Sequence, residues 1–215
     1  MKFITKNIGN APPSLIQHGQ IAYSNYENYP DKDSLRSSLR DEQGAICCYC
    51  MQRIHEGREY TIIEHFIPQT KHITSPYSQV EHNNFSLKYM NLLASCGEYA
   101  NNCSNKKANL PFYVDPRNFM IVDQIKYDKG GKISSDNPKI QHDIDILRLN
   151  EASLKNGRAT IIEVAYKSFK KNKNWTKAML ENEISRLETK KDNSFTPFCS
   201  SAIFHLNKKL KQFAN

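Results

Sequence analysis

The spacing of hydrophobic and polar residues divides the chain into an irregular lead-in, a middle part with short β-like runs and a helical C-terminal part. Residues 1–33 show little periodicity and predict an extended or irregular arm. A short helix is expected to begin at Ser34, because Leu35 and Leu39 share one face. Gly44 is expected to end this helix.

The middle of the chain carries apolar runs of the length that is typical of strands. These runs are residues 46–49, 60–63 and 92–94. A helix is expected to begin near Ser104, which is a good N-cap residue. Two further β-like runs, 119–122 and 124–127, predict a connecting hairpin. The expected fold class is therefore α+β.

A long polar stretch interrupts the middle part after Pro68. It continues to Asn84 without a clear period, and loops of this length are often functional. It contains His72 and His82. Either histidine could aid contact with a substrate or a metal, but a surface position without a role is the first expectation for both.

From residue 140 onward, apolar residues recur at helical spacing. The stripes are Ile162/Ala165/Tyr166/Phe169, Leu180/Ile184/Leu187 and Ala202/Leu206/Leu210/Phe213. Stripes of this width are ordinary for helices that pack on a core. We therefore expect most of them to be core faces, with a surface for docking a partner as the alternative.

Composition and charge favour a folded, basic protein. The 215 residues are 39% hydrophobic and 24% charged, with a net charge of +8. Residues 139–215 hold 15 basic and 8 acidic residues, whereas the first 138 residues hold 15 and 14. A basic surface of this kind binds phosphates or an acidic partner, or is a solvated helix face.

Neither a membrane segment nor a secretion signal is expected. No apolar run approaches the roughly 18 residues that a membrane-spanning helix needs. Residues 1–13 contain lysines but no apolar core of a signal peptide. The expected location is therefore the cytoplasm, where cysteines stay reduced and more often bind metals than form disulfides.

Four of the six cysteines form two spaced pairs. Cys47 and Cys50 make a Cys-x2-Cys knuckle, and Cys96 and Cys103 make a wider second pair. Thiolates at such spacing suit a tetrahedral zinc ion. The alternative is that they are small buried hydrophobic residues. We predict a structural zinc site, with Cys48 as the spare cysteine of the knuckle.

A candidate catalytic pair, Glu64 and His65, ends the second β-like run. A histidine with a near-neutral pKa can take a proton from water, and an adjacent carboxylate can hold Mg²⁺ or a similar ion. By itself such a pair is common, and its histidine is usually a hydrogen-bonded or surface residue. Beyond Cys103, a polar residue in the first helical turn could face a metal, and Lys106 and Lys107 could contact phosphate. A solvated helix start is the alternative there.

In combination these residues resemble the HNH (ββα-metal) endonuclease superfamily. The pattern of that superfamily is a cysteine pair, an acidic-His-x-x-Pro strand end, an Asn-Leu segment, and a second cysteine pair that leads into a polar residue and a lysine. It covers about 65 residues of this chain. A narrower resemblance is to the HNH proteins of the Septu anti-phage systems (the PtuB family) and their retron-associated relatives. It rests on Cys47-Cys48-Tyr49-Cys50, on the Ile63–Pro68 block and on the Asn91–Cys96 block.

The resemblance implies a nuclease of antiviral defence that hydrolyses phosphodiester bonds, with DNA as the expected substrate and a PtuA-like ATPase subunit as partner. It implies that His65 is the general base and that Glu64 binds a catalytic Mg²⁺ or Mn²⁺. Asn91 would brace the loop and orient His65. Lys106 and Lys107 would contact the nucleic acid.

One position departs from the family pattern. Ser104 follows Cys103, where the family often has His, Asn or Asp. Asn105 or Asn109 could serve as the last ligand of the catalytic cation, and we favour Asn105. This departure leaves the ligand set and the metal preference open.

The expected organisation has four parts. They are an arm and helix (1–44), an HNH core with its zinc site (45–115), a connecting hairpin (116–139) and a basic helical region (140–215). Two other functions remain open: a catalytically inactive, zinc-stapled module that binds nucleic acid, and a subunit that docks on a partner. The second of these is compatible with nuclease activity.

Overall fold

The structure is a computed structural model that describes residues 1–69, 85–170 and 175–213. The helices are α1 (Pro13–His18), α2 (Lys32–Glu42), α3 (Ser104–Lys107), α4 (Phe119–Val122), α5 (Pro138–Ile146), α6 (Ala152–Lys170), α7 (Lys177–Glu188) and α8 (Cys199–Leu210). The strands are β1 (Thr61–His65), β2 (Leu92–Cys96), β3 (Lys126–Tyr127) and β4 (Ile133–Ser134). The fold is thus mixed α+β with small two-stranded sheets, as predicted. The predicted polar loop with His72 and His82 lies outside the described residues.

Two antiparallel strands form the centre of the middle part. β1 pairs with β2 so that Thr61 lies opposite Cys96 and His65 lies opposite Leu92. All five residues of β2 are buried, which explains why their sequence is apolar or small. The short helix α3 follows β2 in the chain, so the order of elements here is strand, strand, helix.

Helix α2 packs against these strands through the predicted face. Leu35 and Leu39 have no exposed surface. The helix begins two residues earlier than predicted, because the Asp31 side chain caps it by accepting from the backbone N–H of Ser34. Gly44 ends it with a φ of +63°, a conformation that favours glycine.

The buried side chain of Gln43 connects the end of α2 to β2. Its amide nitrogen donates to the backbone carbonyls of Ile46 and Ala94, at 3.0 and 2.8 Å. Its amide oxygen accepts from the backbone N–H of Ala94 at 2.8 Å. One polar side chain therefore satisfies backbone groups of two elements that would otherwise be buried without partners.

The connecting region contains a hairpin, but only in part where the sequence predicts one. Residues 126–127 pair with residues 133–134. The prediction of a strand over 119–122 is wrong, because these residues form α4. Such a short apolar run fits a strand or a helix equally. Here Asn118 stabilises the helix, because its side chain accepts a hydrogen bond from the backbone N–H of Met120 at 3.0 Å.

The C-terminal helices form a second apolar cluster, as their stripes predict. Leu180, Ile184 and Leu187 of α7 are buried with Ala202 and Leu206 of α8. The main cluster runs from the N-terminal arm to the start of α6. Its members include Met1, Ile4 and Leu15, so the lead-in packs on the core and contains the unpredicted helix α1. No described helix has the length and apolar character required to cross a membrane.

Candidate metal centre and catalytic pair

Four cysteines that are distant in sequence converge on one point. The sulfur atoms of Cys47, Cys50, Cys96 and Cys103 all lie within 4.8 Å of one another, and all four residues are buried. Cys47 Sγ is 3.7 Å from Cys103 Sγ, and Cys50 Sγ is 3.4 Å from Cys96 Sγ. Sulfur ligands of a tetrahedral zinc ion lie about 3.8 Å apart, because each Zn–S bond is about 2.3 Å long. This cluster can therefore bind a structural metal ion such as zinc.

A tight turn presents the first two thiols. The backbone N–H of Met51 donates to Cys47 O at 3.0 Å, and Met51 has a φ of +65°. The N–H of Gln52 donates to Cys50 Sγ at 3.4 Å, a contact that stabilises negative charge on the sulfur. Cys48 lies outside the four-sulfur cluster, as its position in the knuckle predicts.

Contacts with distant parts of the chain fix the positions of the second cysteine pair, Cys96 and Cys103. Cys96 ends β2, and the next residue, Gly97, passes so close to Glu59 that a Cβ there would lie 1.8 Å from the Glu59 carbonyl oxygen. Cys103 has a φ of +56°, and its N–H donates to the Leu147 carbonyl at 3.0 Å. The turn after α5 therefore fixes the last cysteine, which is a long-range constraint that the spacing of the cysteines does not reveal.

The electrostatics of the cluster also favour a cation. Burial opposes ionisation of Cys47, but hydrogen bonds from the surrounding thiols outweigh it and hold the pKa of Cys47 well below its ordinary value. Burial and the neighbouring Cys47 raise the pKa of Cys103 well above the ordinary value. The first thiolate thus makes ionisation of the next more difficult. A divalent cation removes this conflict because it stabilises all four thiolates together.

Glu64 lies at the end of β1 in a buried ion pair. Its Oε1 atom is 2.7 Å from Lys107 Nζ and accepts a hydrogen bond from the Tyr49 hydroxyl at 3.0 Å. Lys107 Nζ also donates to the backbone carbonyl of His65 at 2.9 Å. Glu64 is 5% exposed and Lys107 is 0% exposed. Helix α3 is therefore connected to both candidate catalytic residues through one ammonium group.

His65 is buried next to this pair, with both ring nitrogens in contact with other residues. Nε2 lies 3.0 Å from the carbonyl oxygen of Ser86. A carbonyl only accepts, so Nε2 carries the proton, and Nδ1 is the basic nitrogen that accepts from the Gln69 amide at 3.1 Å. Burial is the main cause that lowers the pKa of His65 to about 4; the hydrogen bond to the Ser86 carbonyl opposes it, and the charge of Lys107 contributes to it. The ring is therefore neutral near pH 7.

Asn91 holds the chain directly after His65. Its Oδ1 atom accepts from the backbone N–H of Ile67 at 2.8 Å. Its Nδ2 atom donates to the carbonyls of Ile67 and Phe85 at 3.1 and 3.2 Å. The Asn91 carbonyl accepts from Phe66 N–H at 3.0 Å. These are the contacts of a side chain that braces a loop.

Two residues of the predicted site need correction. Lys107 was expected to contact nucleic acid, but its burial against Glu64 leaves no exposed surface for a phosphate. Asn105 was expected to bind the catalytic cation. Instead, its amide nitrogen donates to the carbonyls of the cysteine loop, at 2.9 Å for Gly97, 3.1 Å for Glu98 and 2.7 Å for Ala100.

Ser104 begins α3, one turn before Lys107. Residues three apart share one face of a helix, so Ser104 and Lys107 point in the same direction, and Lys107 reaches Glu64. The Ser104 hydroxyl is buried and has no hydrogen-bond partner among the described residues. Lys106 is half-exposed on another face. Asn109 is exposed beyond the end of the helix.

Sequence reasoning missed three residues that shape this site. Tyr49 contacts Glu64, Gln69 contacts His65, and Tyr26 packs edge-on against the His65 ring at 4.6 Å between centroids. Tyr49 alone gave a signal, since it lies inside the cysteine knuckle. Neither Gln69 nor Tyr26 belongs to a motif, and their roles follow only from the fold.

Comparison with known proteins does not assign this chain to a family. No protein-family model matches the chain, and no curated protein is significantly similar to it.

Proposed function

We propose that this protein is a metal-dependent HNH-type endonuclease that hydrolyses phosphodiester bonds of nucleic acid. The observation that carries the proposal is His65 at the end of β1, a neutral imidazole whose Nε2 is anchored by the Ser86 carbonyl and whose Nδ1 is basic. Only the neutral ring can take a proton, but a pKa of about 4 makes it a weak base. Because burial is the main cause of that low value, we expect exposure of the site to water to raise the pKa of His65 toward neutral before the ring acts. The strand–strand–helix order around His65, and the bond from Asn91 to the backbone just after it, support the proposal.

In this proposal His65 Nδ1 takes the proton from the water that attacks phosphorus. The Gln69 amide now occupies that nitrogen, so a water molecule must replace it before each cut. A bound Mg²⁺ or Mn²⁺ would supply positive charge to the phosphate and the leaving oxygen. Because the histidine activates the water, one cation is sufficient.

Glu64 and Ser104 are the residues that would hold the catalytic cation. The hydrogen bond and ion pair that Glu64 makes with described residues both use Oε1, and the buried Ser104 hydroxyl has no hydrogen-bond partner among the described residues. Carboxylate and hydroxyl oxygens suit Mg²⁺ and Mn²⁺. Ser104 thus replaces Asn105 in the proposed ligand set. Lys106 remains a proposed contact to nucleic acid.

The four-cysteine site would hold a structural zinc ion. A two-stranded sheet and a four-residue helix bury too little apolar surface to be rigid by themselves. Zinc binding would fix the knuckle, the end of β2 and the start of α3 together.

The proposed biological setting is antiviral defence in the cytoplasm, with DNA as substrate and an ATPase subunit as partner. Support for it comes from the sequence blocks that resemble the Septu and retron-associated HNH proteins. In such a complex the partner would regulate when the closed His65 site opens.

Cleavage of plasmid DNA tests the proposal. Zinc-loaded wild-type protein is expected to nick the plasmid with Mg²⁺ or Mn²⁺, and His65→Ala is expected to lose this activity. His65→Gln serves as a second variant because its amide can still donate to Ser86, so loss of activity there reflects loss of the base. His142→Ala, which replaces an exposed histidine, is the matched control and should cut normally.

Zinc content and thermal unfolding are measured for each variant, so that a misfolded protein is not mistaken for an inactive one. Cleavage that survives in both His65 variants would overturn the proposal. If wild-type protein is silent alone, the comparison is repeated with the ATPase subunit and ATP, and silence there would favour the inactive, zinc-stapled module.

A further inference from the structure

A second site of a different kind lies between the C-terminal helices and the β3–β4 hairpin. It is a groove of about 1310 Å³. Its walls come from α6, α8, the end of β3 and the residues after α8. Because a pocket for one small molecule is usually about 300–1000 Å³, the groove has room for an extended ligand. None of the residues proposed for catalysis or zinc binding lines it.

Aromatic rings line one side of this groove. Tyr166 and Trp175 lie 5.3 Å apart between ring centroids with an angle of 36° between their planes. Both are only partly buried, and Phe213 at the rim is 43% exposed. Flat, partly exposed rings are the surfaces on which nucleic-acid bases stack, whatever the base.

Three lysines border the same groove without ion pairs to described residues. They are Lys129, Lys208 and Lys209, and Lys209 Nζ lies 5.9 Å from the centre of the Trp175 ring. The two acidic residues of the groove have other partners. Asp128 accepts from Lys132 N–H at 2.7 Å, and Glu163 pairs with Lys167 at 2.9 Å. Asp128 keeps its charge, but three lysines against two carboxylates, one of them ion-paired, leave net positive charge beside the aromatic surface.

The floor of the groove contains a polar atom without a partner. His205 is 8% exposed, and its Nε2 atom has no hydrogen bond within the described part of the chain. Burial lowers the pKa of His205 more than the nearby backbone of Asp128 raises it, so the ring is neutral near pH 7. A neutral ring nitrogen donates or accepts one hydrogen bond according to the tautomer, and a polar group of a ligand would satisfy Nε2.

We propose that this groove binds single-stranded nucleic acid, with bases stacked on Tyr166 and Trp175 and phosphates beside Lys208 and Lys209. An apolar peptide would use the rings but would leave the lysines and His205 without partners. A nucleotide strand meets all three, since it carries stacking bases, N–H donors and phosphates. Most residues that line the groove belong to the part of the chain, residues 139–215, that holds 15 of the basic residues against 8 acidic ones.

Trp175 is the only tryptophan, so its fluorescence reports on the groove directly. The full-length, zinc-loaded protein is titrated with a 12-nucleotide single strand, without Mg²⁺ or Mn²⁺ so that no cutting occurs. Stacking is expected to quench the fluorescence, and binding should weaken as salt rises. AMP and a 12-base-pair duplex are tested in parallel, and both are expected to bind at least about 10-fold more weakly, because AMP lacks further phosphates and a duplex hides its base faces.

Variants then locate the site. Lys208→Gln/Lys209→Gln should weaken binding of the single strand about 10-fold or more and reduce the salt slope by about two, one for each lost phosphate contact. Lys126→Gln/Lys191→Gln removes the same charge from exposed lysines outside the groove and should change affinity less than about 2-fold by the same rule. Tyr166→Leu should weaken binding of the strand about 10-fold through lost stacking.

Several results would overturn the proposal. They are no quenching by the strand, equal effects of the two lysine pairs, or AMP binding as tightly as the strand, which would indicate a mononucleotide site instead. Lysine variants that lose a protein partner but keep their affinity for the strand would identify a docking surface. The assay needs no cleavage, so its outcome is independent of the proposed nuclease activity.

Discussion

The buried pair of Lys107 and Glu64 gives a sharp test of how this site is held together. Lys107→Met keeps most of the side-chain volume but removes the charge, so Glu64 is left 5% exposed with only the Tyr49 hydroxyl as a polar partner. Removing one member of a buried ion pair typically costs about 3–5 kcal/mol. Since neither side chain is exposed enough for water to screen the loss, we expect the full range to apply. A chain of this size loses about 2–4 °C of Tm per kcal/mol, so Tm should fall by about 6–20 °C.

The double variant separates the pair from the packing. In Glu64→Gln/Lys107→Met no charge is stranded, and the new amide still accepts from Tyr49. Buried ion pairs replaced as a unit are often near neutral, so the double variant should lie within about 2 kcal/mol of wild type. Urea unfolding compares the zinc-loaded wild type, Lys107→Met, Glu64→Gln and the double variant, with Lys106→Met as the matched control. Because Lys106 is half-exposed, its substitution should lower the free energy of unfolding by no more than about 0.5 kcal/mol. The reasoning would be refuted if Lys107→Met lost no more unfolding free energy than the control. It would also be refuted if the double variant lost as much as the two single variants together.

Two further predictions concern His65. The pKa of His65 is about 4 in the folded protein and 6.5 in the unfolded chain. Between these pH values the unfolded chain binds one more proton than the folded protein. The stability that this residue contributes is therefore present above pH 6.5 and is lost as the pH falls toward 4. Relative to His65→Gln, wild type should lose about 2 kcal/mol between pH 7 and pH 5 in buffer free of Mg²⁺ and Mn²⁺. Gln69→Glu places a carboxylate beside Nδ1 and should raise the pKa of His65 by about 1–3 units, as measured by NMR of the imidazole.

Both tests carry their own controls. Acid also protonates the zinc ligands, but it does so in wild type and His65→Gln alike, so the difference between them isolates the histidine. Parallel stability curves for the two proteins from pH 7 to 5 would contradict the buried, neutral state of the ring. For the second test, Gln69→Ala removes the amide without adding charge. A pKa that rises equally in both Gln69 variants would mean that the carboxylate is not the cause.

The parts of this molecule that sequence could predict are those whose signal lies in residue type and short spacing. The cysteine pairs converge as predicted because thiol chemistry leaves few other uses for that pattern in a reduced protein. The α2 face and most residues of the C-terminal stripes are buried, because the helical period seen in the sequence is the period on which packing depends; Tyr166, Leu210 and Phe213 are exceptions. In these cases local pattern and tertiary structure agree.

The features that the sequence did not predict depend on contacts between residues that are distant in the chain. Lysine side chains usually lie on the surface of a protein. Burial of Lys107 is favourable only because Glu64, 43 positions earlier in the chain, forms an ion pair with it. Asn105 has the right chemistry for a metal ligand, but the carbonyls of its own loop are nearer partners. The strand predicted over 119–122 is wrong because β propensity depends on context, and here the Asn118 side-chain cap favours a helix.

These contacts also explain why a zinc site and a catalytic histidine would belong to one small unit. Cys96 and His65 lie at opposite ends of the same two strands, four residues or about 13 Å apart. Helix α3, about 6 Å long, and the extended Lys107 side chain together connect the two ends, because the helix begins directly after the candidate ligand Cys103 and Lys107 bonds to Glu64 and to the His65 carbonyl. Displacing Cys103 would shift α3 and, with it, the ammonium that holds the end of β1. Zinc would therefore act on the candidate site through position alone, as the anchor of the helix that fixes Glu64 and His65.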